Sequence, residues 1–271
     1  MSRSGRAPTP DAVIERGPDG LRAREFGPEP DVGHWEQLWE GQAGSYDQAR
    51  AGHLPHQLRS TFGRLVRPPA RVLEAGCGPA HFTVALRAQG YRAVGLDWGG
   101  STLATVRRRV PGAPLSQGDV RRSPFRDASF DAVYSPGVCE HFEDGPDEVL
   151  ADAFRVLRPG GVAVVSTPYL NRLRRRRWGT DRSSDEPAAF HQYLFAKDTL
   201  ATTLQRLGFE QVQARPYATW ATFTSEWPVL ARIPAGRACG ALDLVPLVRE
   251  WGSTCIWTAR KPSAARAEVG P

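Results

Sequence analysis

Residues 72–80 read Val-Leu-Glu-Ala-Gly-Cys-Gly-Pro-Ala, and residues 93–97 read Ala-Val-Gly-Leu-Asp. An apolar run ends in an acid, Glu74, and a glycine-rich turn. A stretch of helical spacing follows, and a second apolar run closes on Asp97. Strand, tight turn, helix, strand is the opening of a nucleotide-binding α/β sheet. Gly76 and Gly78 let the backbone approach a ligand closely, because no Cβ stands in the way. A carboxylate at the tip of the second strand can accept both hydroxyls of a ribose.

The turn is not of the dinucleotide type. G-x-G-x-x-G needs a third glycine where this chain has His81. An acid just before the turn is a poor neighbour for a pyrophosphate and a good one for an ammonium group. The segment resembles motif I of the class I S-adenosylmethionine (SAM)-dependent methyltransferases, with Ala80 in place of the third glycine. Further segments carry the same resemblance in order. Gln117-Gly118-Asp119-Val120 is similar to the family's third-strand segment, and Ser129-Phe130-Asp131-Ala132-Val133-Tyr134-Ser135 to its fourth strand. Gly137 to Phe142 (GVCEHF) and Arg155 to Gly161 (RVLRPGG) resemble motifs of a small-molecule branch, and Thr167 to Asn171 its T-x-P-N ending. The resemblance covers roughly residues 45–215, with a last strand near 253–260.

A Rossmann-like seven-stranded α/β sheet is therefore expected, with strand order 3-2-1-4-5-7-6 and the seventh strand antiparallel. Its strands are expected at 71–75, 93–96, 114–117, 130–135, 162–167, 209–215 and 253–260. Helices are expected at 53–66, 80–89, 101–109 (with Ser101 as N-cap), 146–157 and 197–207, the last ended by Gly208. Trp35, Leu38 and Trp39 fall at i, i+3 and i+4 and predict a short helix, which in the family often covers the cofactor; Tyr46-Asp47 resembles a pair found there. Residues 1–30, rich in Pro, Gly and Arg, read as a disordered tail, 31–262 as one domain and 263–271 as a frayed end. Two segments exceed the plain fold, 170–196 and 217–252. Both are expected to form a helical or irregular cap, and the apolar residues of 217–252 must be buried against the domain, a second copy or a greasy substrate.

Composition narrows the function classes. Hydrophobic residues make up 41% of the 271, enough for a full core. No apolar run is long enough to span a membrane, and the start lacks the apolar stretch of a secretory signal. Cys77, Cys139, Cys239 and Cys255 are scattered without a C-x-x-C pair, as in a reduced, cytoplasmic protein. His53-x-x-His56 has tolerable metal spacing, but no acid or cysteine joins it, and no metal is expected. The net charge of +6 is carried by arginine, since only Lys197 and Lys261 are lysines. This bias fits a GC-rich genome better than a nucleic-acid partner. Arg172 and Arg174 to Arg177 form the one true cluster, suited to solvent, an acidic small molecule or RNA. Arg107 to Arg109 suit a helix C-terminus.

The resemblance implies SAM as cofactor. It assigns Glu74 and the backbone of Gly76, Cys77 and Gly78 to the methionine moiety, and Asp97 to the ribose. Trp98, Asp119 and Val120 are assigned to the adenine, and Ser135 to the neighbourhood of the sulfonium. Glu140 is expected to bond backbone amides. His141 and His191 are candidate general bases, since imidazole titrates near neutrality. Tyr169, Trp178, Phe190, Tyr193 and Trp220 are candidates for recognising a ring-containing acceptor. The implied activity is methyl transfer to a small molecule of natural-product, quinone-like or sugar type, at oxygen by family frequency. An RNA methyltransferase and a SAM-binding protein without turnover are the alternatives. Ser135-Pro136-Gly137-Val138 stands where amine methylases of DNA carry N-P-P-Y. A homodimer is compatible with the sequence.

Overall fold

Along the central strands, neighbouring residues point to opposite faces, and both faces are apolar. Leu73, Val133, Ala163, Val165 and Trp257 belong to one buried cluster, and Val72, Ala132, Val162, Val164 and Ile256 to the other. This is why the runs read as continuously hydrophobic rather than alternating. The computed structural model describes residues 12–42, 46–180, 188–233 and 236–263.

Ten strands occur among them: β1 (Ala12–Gly17), β2 (Gly20–Gly27), β3 (Arg71–Ala75), β4 (Arg92–Asp97), β5 (Leu115–Gln117), β6 (Phe130–Pro136), β7 (Leu157–Pro168), β8 (Ala189–Phe195), β9 (Glu210–Tyr217) and β10 (Thr254–Arg260). Seven form the main sheet in the order β5-β4-β3-β6-β7-β10-β9. That is the order expected, 3-2-1-4-5-7-6. β3 to β7 pair in parallel, and β10 runs antiparallel to both β7 and β9. Helices α1 (Val32–Gln42), α2 (Asp47–Arg50), α3 (His56–Leu65), α4 (His81–Ala88), α5 (Gly100–Arg109) and α6 (Asp147–Val156) precede β7. Helices α7 (Arg172–Arg177), α8 (Lys197–Arg206), α9 (Thr219–Glu226) and α10 (Pro246–Arg249) follow it. Leu58 and Phe62 of α3 and Leu86 of α4 pack on one face of the sheet. Val149, Leu150, Ala153 and Val156 of α6 and Leu200 and Leu204 of α8 pack on the other. Each of the valine, leucine and phenylalanine side chains among them contributes about 1.5–3 kcal/mol.

Residues 12–27 correct the expectation of a disordered tail over 1–30. They form the hairpin β1–β2, which pairs antiparallel with β8 as a second, three-stranded sheet. Ala12, Ile14, Leu21 and Ala23 lie together against Leu170, Trp178 and Leu194, while Glu15 meets Arg22 across the pair at 2.6 Å. Residues 1–11 and 264–271 lie outside the described residues. Among the described residues, 170–196 thus contributes one short helix and then a strand, whereas 217–252 is mainly helical.

Ser101 is not the N-cap of α5. The helix starts at Gly100, and the Ser101 N–H is taken by Glu36 Oε1 of α1 at 2.9 Å. Gly208 does end α8, at φ +95°. Cys77, Cys139 and Cys255 are buried free thiols, and the Cys239 side chain lies outside the described residues. Among the described residues no helix is long and apolar enough to cross a membrane.

Candidate active site

Parallel strands deliver their carboxyl ends to one edge, where ligands of open α/β sheets bind. A cavity of about 280 Å³ lies there, lined by residues that follow β3, β4, β5 and β6 and by α1. Gly76, Gly78, Asp97, Trp98 and Val120 form part of its wall, as do Gly137, His141 and Phe142.

The glycine turn is shaped by close approaches. A Cβ at Gly76, where φ is +75°, would collide with the Val138 side chain. A Cβ on Gly78 would meet the Trp39 indole at 2.9 Å. Ala80, standing where the motif has its third glycine, carries the same left-handed backbone at φ 55°. Such a conformation costs about 1–2 kcal/mol outside glycine. Tyr46 donates from its hydroxyl to the Pro79 carbonyl at 2.7 Å and stacks on His81, which fixes the turn from behind.

Asp97 is buried at the tip of β4. Its Oδ2 accepts the Gly78 N–H at 2.7 Å, and its Oδ1 accepts the Gly99 N–H at 2.9 Å. Burial pushes its carboxyl up, and the surrounding backbone amides oppose that shift. A carboxylate has further lone pairs to offer a diol.

Four other cofactor candidates are not among the residues lining the cavity. Glu74 lies beneath the turn, where it accepts the Thr83 N–H at 2.7 Å and the Thr83 hydroxyl, so it holds the start of α4. Burial raises its pKa to about 8. Cys77 packs with Val84 and Leu103 behind the turn. Asp119 is held by a bidentate pair with Arg121, which keeps its carboxyl below the usual range. Ser135 is buried on β6 with no partner for its hydroxyl.

Helix α1 closes the front. Asp31 caps it by accepting the His34 N–H at 2.7 Å. Glu36 ties it to α5, and Trp35 and Trp39 line the cavity with their rings 6.2 Å apart. The Trp35 ring meets the His141 ring edge-on at 4.7 Å. His141 Nδ1 lies 3.0 Å from the His191 carbonyl oxygen, which can only accept, so Nδ1 carries the proton and Nε2 is the basic nitrogen. Burial lowers the His141 pKa to about 4, and the imidazole is neutral at physiological pH. His191 stands behind, its ring 5.4 Å from that of His141, with Nδ1 donating to the Pro28 carbonyl at 2.8 Å. His34, which sequence reasoning passed over, extends this group at 5.8 Å from His191. Glu140 is fully buried with its Oε2 unpartnered, and burial pushes its carboxyl up to about 8 against the opposing pull of the nearby backbone of Glu140 and Val138.

The aromatic candidates for acceptor recognition are placed differently from expectation. None of Tyr169, Trp178, Phe190, Tyr193 and Trp220 lines the cavity. Tyr169, Phe190 and Tyr193 are buried in the main core and Trp178 in the core beneath the small sheet. The Tyr193 hydroxyl donates to the Glu143 carbonyl at 2.8 Å. Phe190 and Tyr193 are three apart and would face opposite sides of a regular strand; the register shift in β8 between Phe190 and Gln192 brings both rings into the same core.

A family model described as a methyltransferase domain matches residues 73–165. A protein of Mycolicibacterium smegmatis named as a probable SAM-dependent methyltransferase is 42% identical over 36% of this chain and 37% of its own length. The chain therefore spans well under half of that relative. A malonyl-[acyl-carrier protein] O-methyltransferase of Enterobacter lignolyticus is 31% identical over 61% of this chain and 68% of its own. Among solved structures, a SAM-dependent methyltransferase from Mesorhizobium loti superposes with a TM-score of 0.53 at 22% identity, over 76% of this chain and 96% of that one. The sheet order, the glycine turn with its strand-end acid and these likenesses agree: the chain belongs to the class I SAM-dependent methyltransferases.

Proposed function

We propose that this protein transfers the methyl group of SAM to an oxygen of a small-molecule acceptor. The observation that carries the reading is one cavity lined by two unlike groups. These are a buried carboxylate, Asp97, beside a glycine turn, and the neutral imidazole of His141. The residues present fit SAM. Asp97 would hold the ribose hydroxyls, the backbone of Gly76 and Gly78 the methionine moiety, and Trp98, Val120 and Phe142 the flat adenine. The relative named as an O-methyltransferase supports oxygen as the acceptor atom.

Bound SAM supplies an electrophilic methyl on a sulfonium, so the chain's own work is alignment, exclusion of water and handling of one proton. Trp35 and Trp39 cover the cavity and keep water out. A hydroxyl acceptor must lose its proton as the new carbon–oxygen bond forms. The oxonium that would otherwise result is a far stronger acid than an imidazolium of pKa about 4, so His141 Nε2 is basic enough to take that proton during transfer. A carboxylate acceptor would need no base at all.

Incubation of the protein with SAM and a cell-extract metabolite fraction, reading S-adenosylhomocysteine, tests the reading. Formation that depends on the metabolite fraction supports it. A folded protein that binds SAM and forms none is a binding protein without turnover.

A further inference from the structure

The segment that leaves the sheet after β9 has an interior of its own. The Asp243 carboxylate accepts the N–H groups of Ala218 and Thr219 and the Thr219 hydroxyl, at 2.9, 3.0 and 2.8 Å. Phe223 of α9 packs against Trp227 and Trp251, with ring centroids 6.1 and 5.8 Å away. Yet its outside is apolar. Leu247 is 83% exposed, Leu244 65% and Val229 64%, and Ile233, Trp227 and Trp251 are exposed as well. A folded block that shows so much apolar surface marks an interaction site.

The arginine helix α7 adjoins this block. The Arg177 guanidinium lies 5.7 Å over the Trp227 ring and pairs with Glu226 at 2.9 Å. Asn171, the N-cap of α7, donates to the carbonyls of Trp251 and Gly252 at 3.1 and 2.9 Å. Arg172, Arg175 and Arg176 on α7 are exposed, as is Arg232 in the block. The described carboxylates nearby are already engaged: Glu226 by Arg177, Glu250 by Lys197 and Asp243 by backbone. Both elements depart from the sheet edge that carries the cavity, because Pro168 and Tyr217 are level with Thr254 across β7, β10 and β9.

We propose that this face binds the surface of an anionic lipid bilayer. The aliphatic tips enter the boundary of the acyl region, the tryptophans lie at headgroup depth, and the arginines meet lipid phosphates. The charge on the face selects among occupants. A second copy in two-fold contact would set arginines against arginines, with no free carboxylate among the described residues of the face between them. An acidic protein could pair the arginines, but tips as protruding as Leu247 and Leu244 would each need a matching pocket, whereas a bilayer yields around them.

Co-sedimentation of the full chain with phosphatidylglycerol–phosphatidylcholine vesicles tests this. Binding is expected to such vesicles and not to phosphatidylcholine alone, and to weaken as salt is raised. Leu244→Glu with Leu247→Glu, and separately Arg175→Glu with Arg176→Glu, should each reduce partitioning by about tenfold or more. Melting temperature and SAM affinity should hold, since all four side chains are exposed outside the cavity. SAM titration reports on the methyltransferase reading separately, so either reading can fail alone. The proposal is overturned by absence of vesicle binding at low salt, or by binding that both double variants retain. It is equally overturned by a lipid-free dimer that the leucine variant dissociates, which assigns the face to a second copy. Capture by a purified acidic carrier protein, without vesicle binding, would assign it to an acidic protein instead.

Discussion

The Oδ2 atom of Asp97 accepts the N–H of Gly78 at 2.7 Å, so the strand-end acid fastens the glycine turn that faces it across the cavity floor. The same carboxylate is the one proposed above to hold the ribose hydroxyls. Asp97→Ala removes a buried charged acceptor from two hydroxyls and leaves the Gly78 and Gly99 amides without it. SAM affinity should fall by about 2–3 kcal/mol, or roughly 30- to 150-fold, with a smaller fall for Asp97→Asn, which keeps one acceptor oxygen. Isothermal titration with SAM and S-adenosylhomocysteine measures both. Unchanged affinity in the alanine variant would remove Asp97 from the site.

Two buried acids make stability fall as pH rises. Glu74 and Glu140 have folded pKa values of about 8, against 4.5 in the ordinary state. Between those values the native state holds protons that the unfolded chain has lost, so each group weakens the fold as pH climbs toward 8. His141 acts in the opposite sense, lowered from 6.5 to about 4, and costs stability only below pH 6.5. The window from 6.5 to 8 isolates the acids. Urea unfolding there should show a decline of up to about 1.4 kcal/mol per pH unit per acid. Glu140→Gln, which keeps the shape of the side chain but cannot ionise, should flatten part of the slope. An equal slope in that variant would show that Glu140 is ionised in the fold.

The main sheet was legible because both its faces are buried and glycines punctuate its turns, so long apolar runs and Gly76, Gly78 and Gly208 marked it. The hairpin β1–β2 was not, because its inward residues are few and small and its outward ones are charged. It is stabilised by β8, far along the chain, and no two-stranded ribbon stands alone. The one local sign was Gly17-Pro18-Asp19-Gly20, a turn signature between alternating runs. In the site, the acid and glycines were readable from their spacing. The aromatics of 169–193 were not, since composition gives a ring and only strand register tells which way it faces.

A chain beginning at Pro28 tests what that hairpin holds. It loses the cover over Leu194 and Trp178, the Arg22 guanidinium stacked 4.0 Å above Tyr193, and the Asp19 pair with Arg206. It also exposes the β8 edge, which invites pairing with other chains. The unfolding free energy should drop by about 3 kcal/mol or more, with aggregation on heating. SAM affinity should fall too, because Pro28 and His191 anchor the approach to α1. A truncated chain with an unaltered melting curve would make the small sheet dispensable.

Replacing the two histidines separately decides how the proton is handled. His141 lines the cavity with a neutral ring whose Nδ1 is committed to the His191 carbonyl, while His191 is not among the cavity's lining residues. His141→Ala should lower the transfer rate to a hydroxyl acceptor by roughly a hundredfold with SAM affinity nearly unchanged. His191→Ala should act more weakly, through the packing behind His141. With a folded pKa of about 4, His141 stays in its basic form across pH 5–8, so the wild-type rate should show no inflection from it there. A break near 6.5 that disappears in His141→Ala would mean that bound SAM and acceptor raise its pKa. Loss of SAM binding in step with rate would make His141 a wall of the cofactor cavity. Full turnover in both variants would leave alignment alone as the source of the rate.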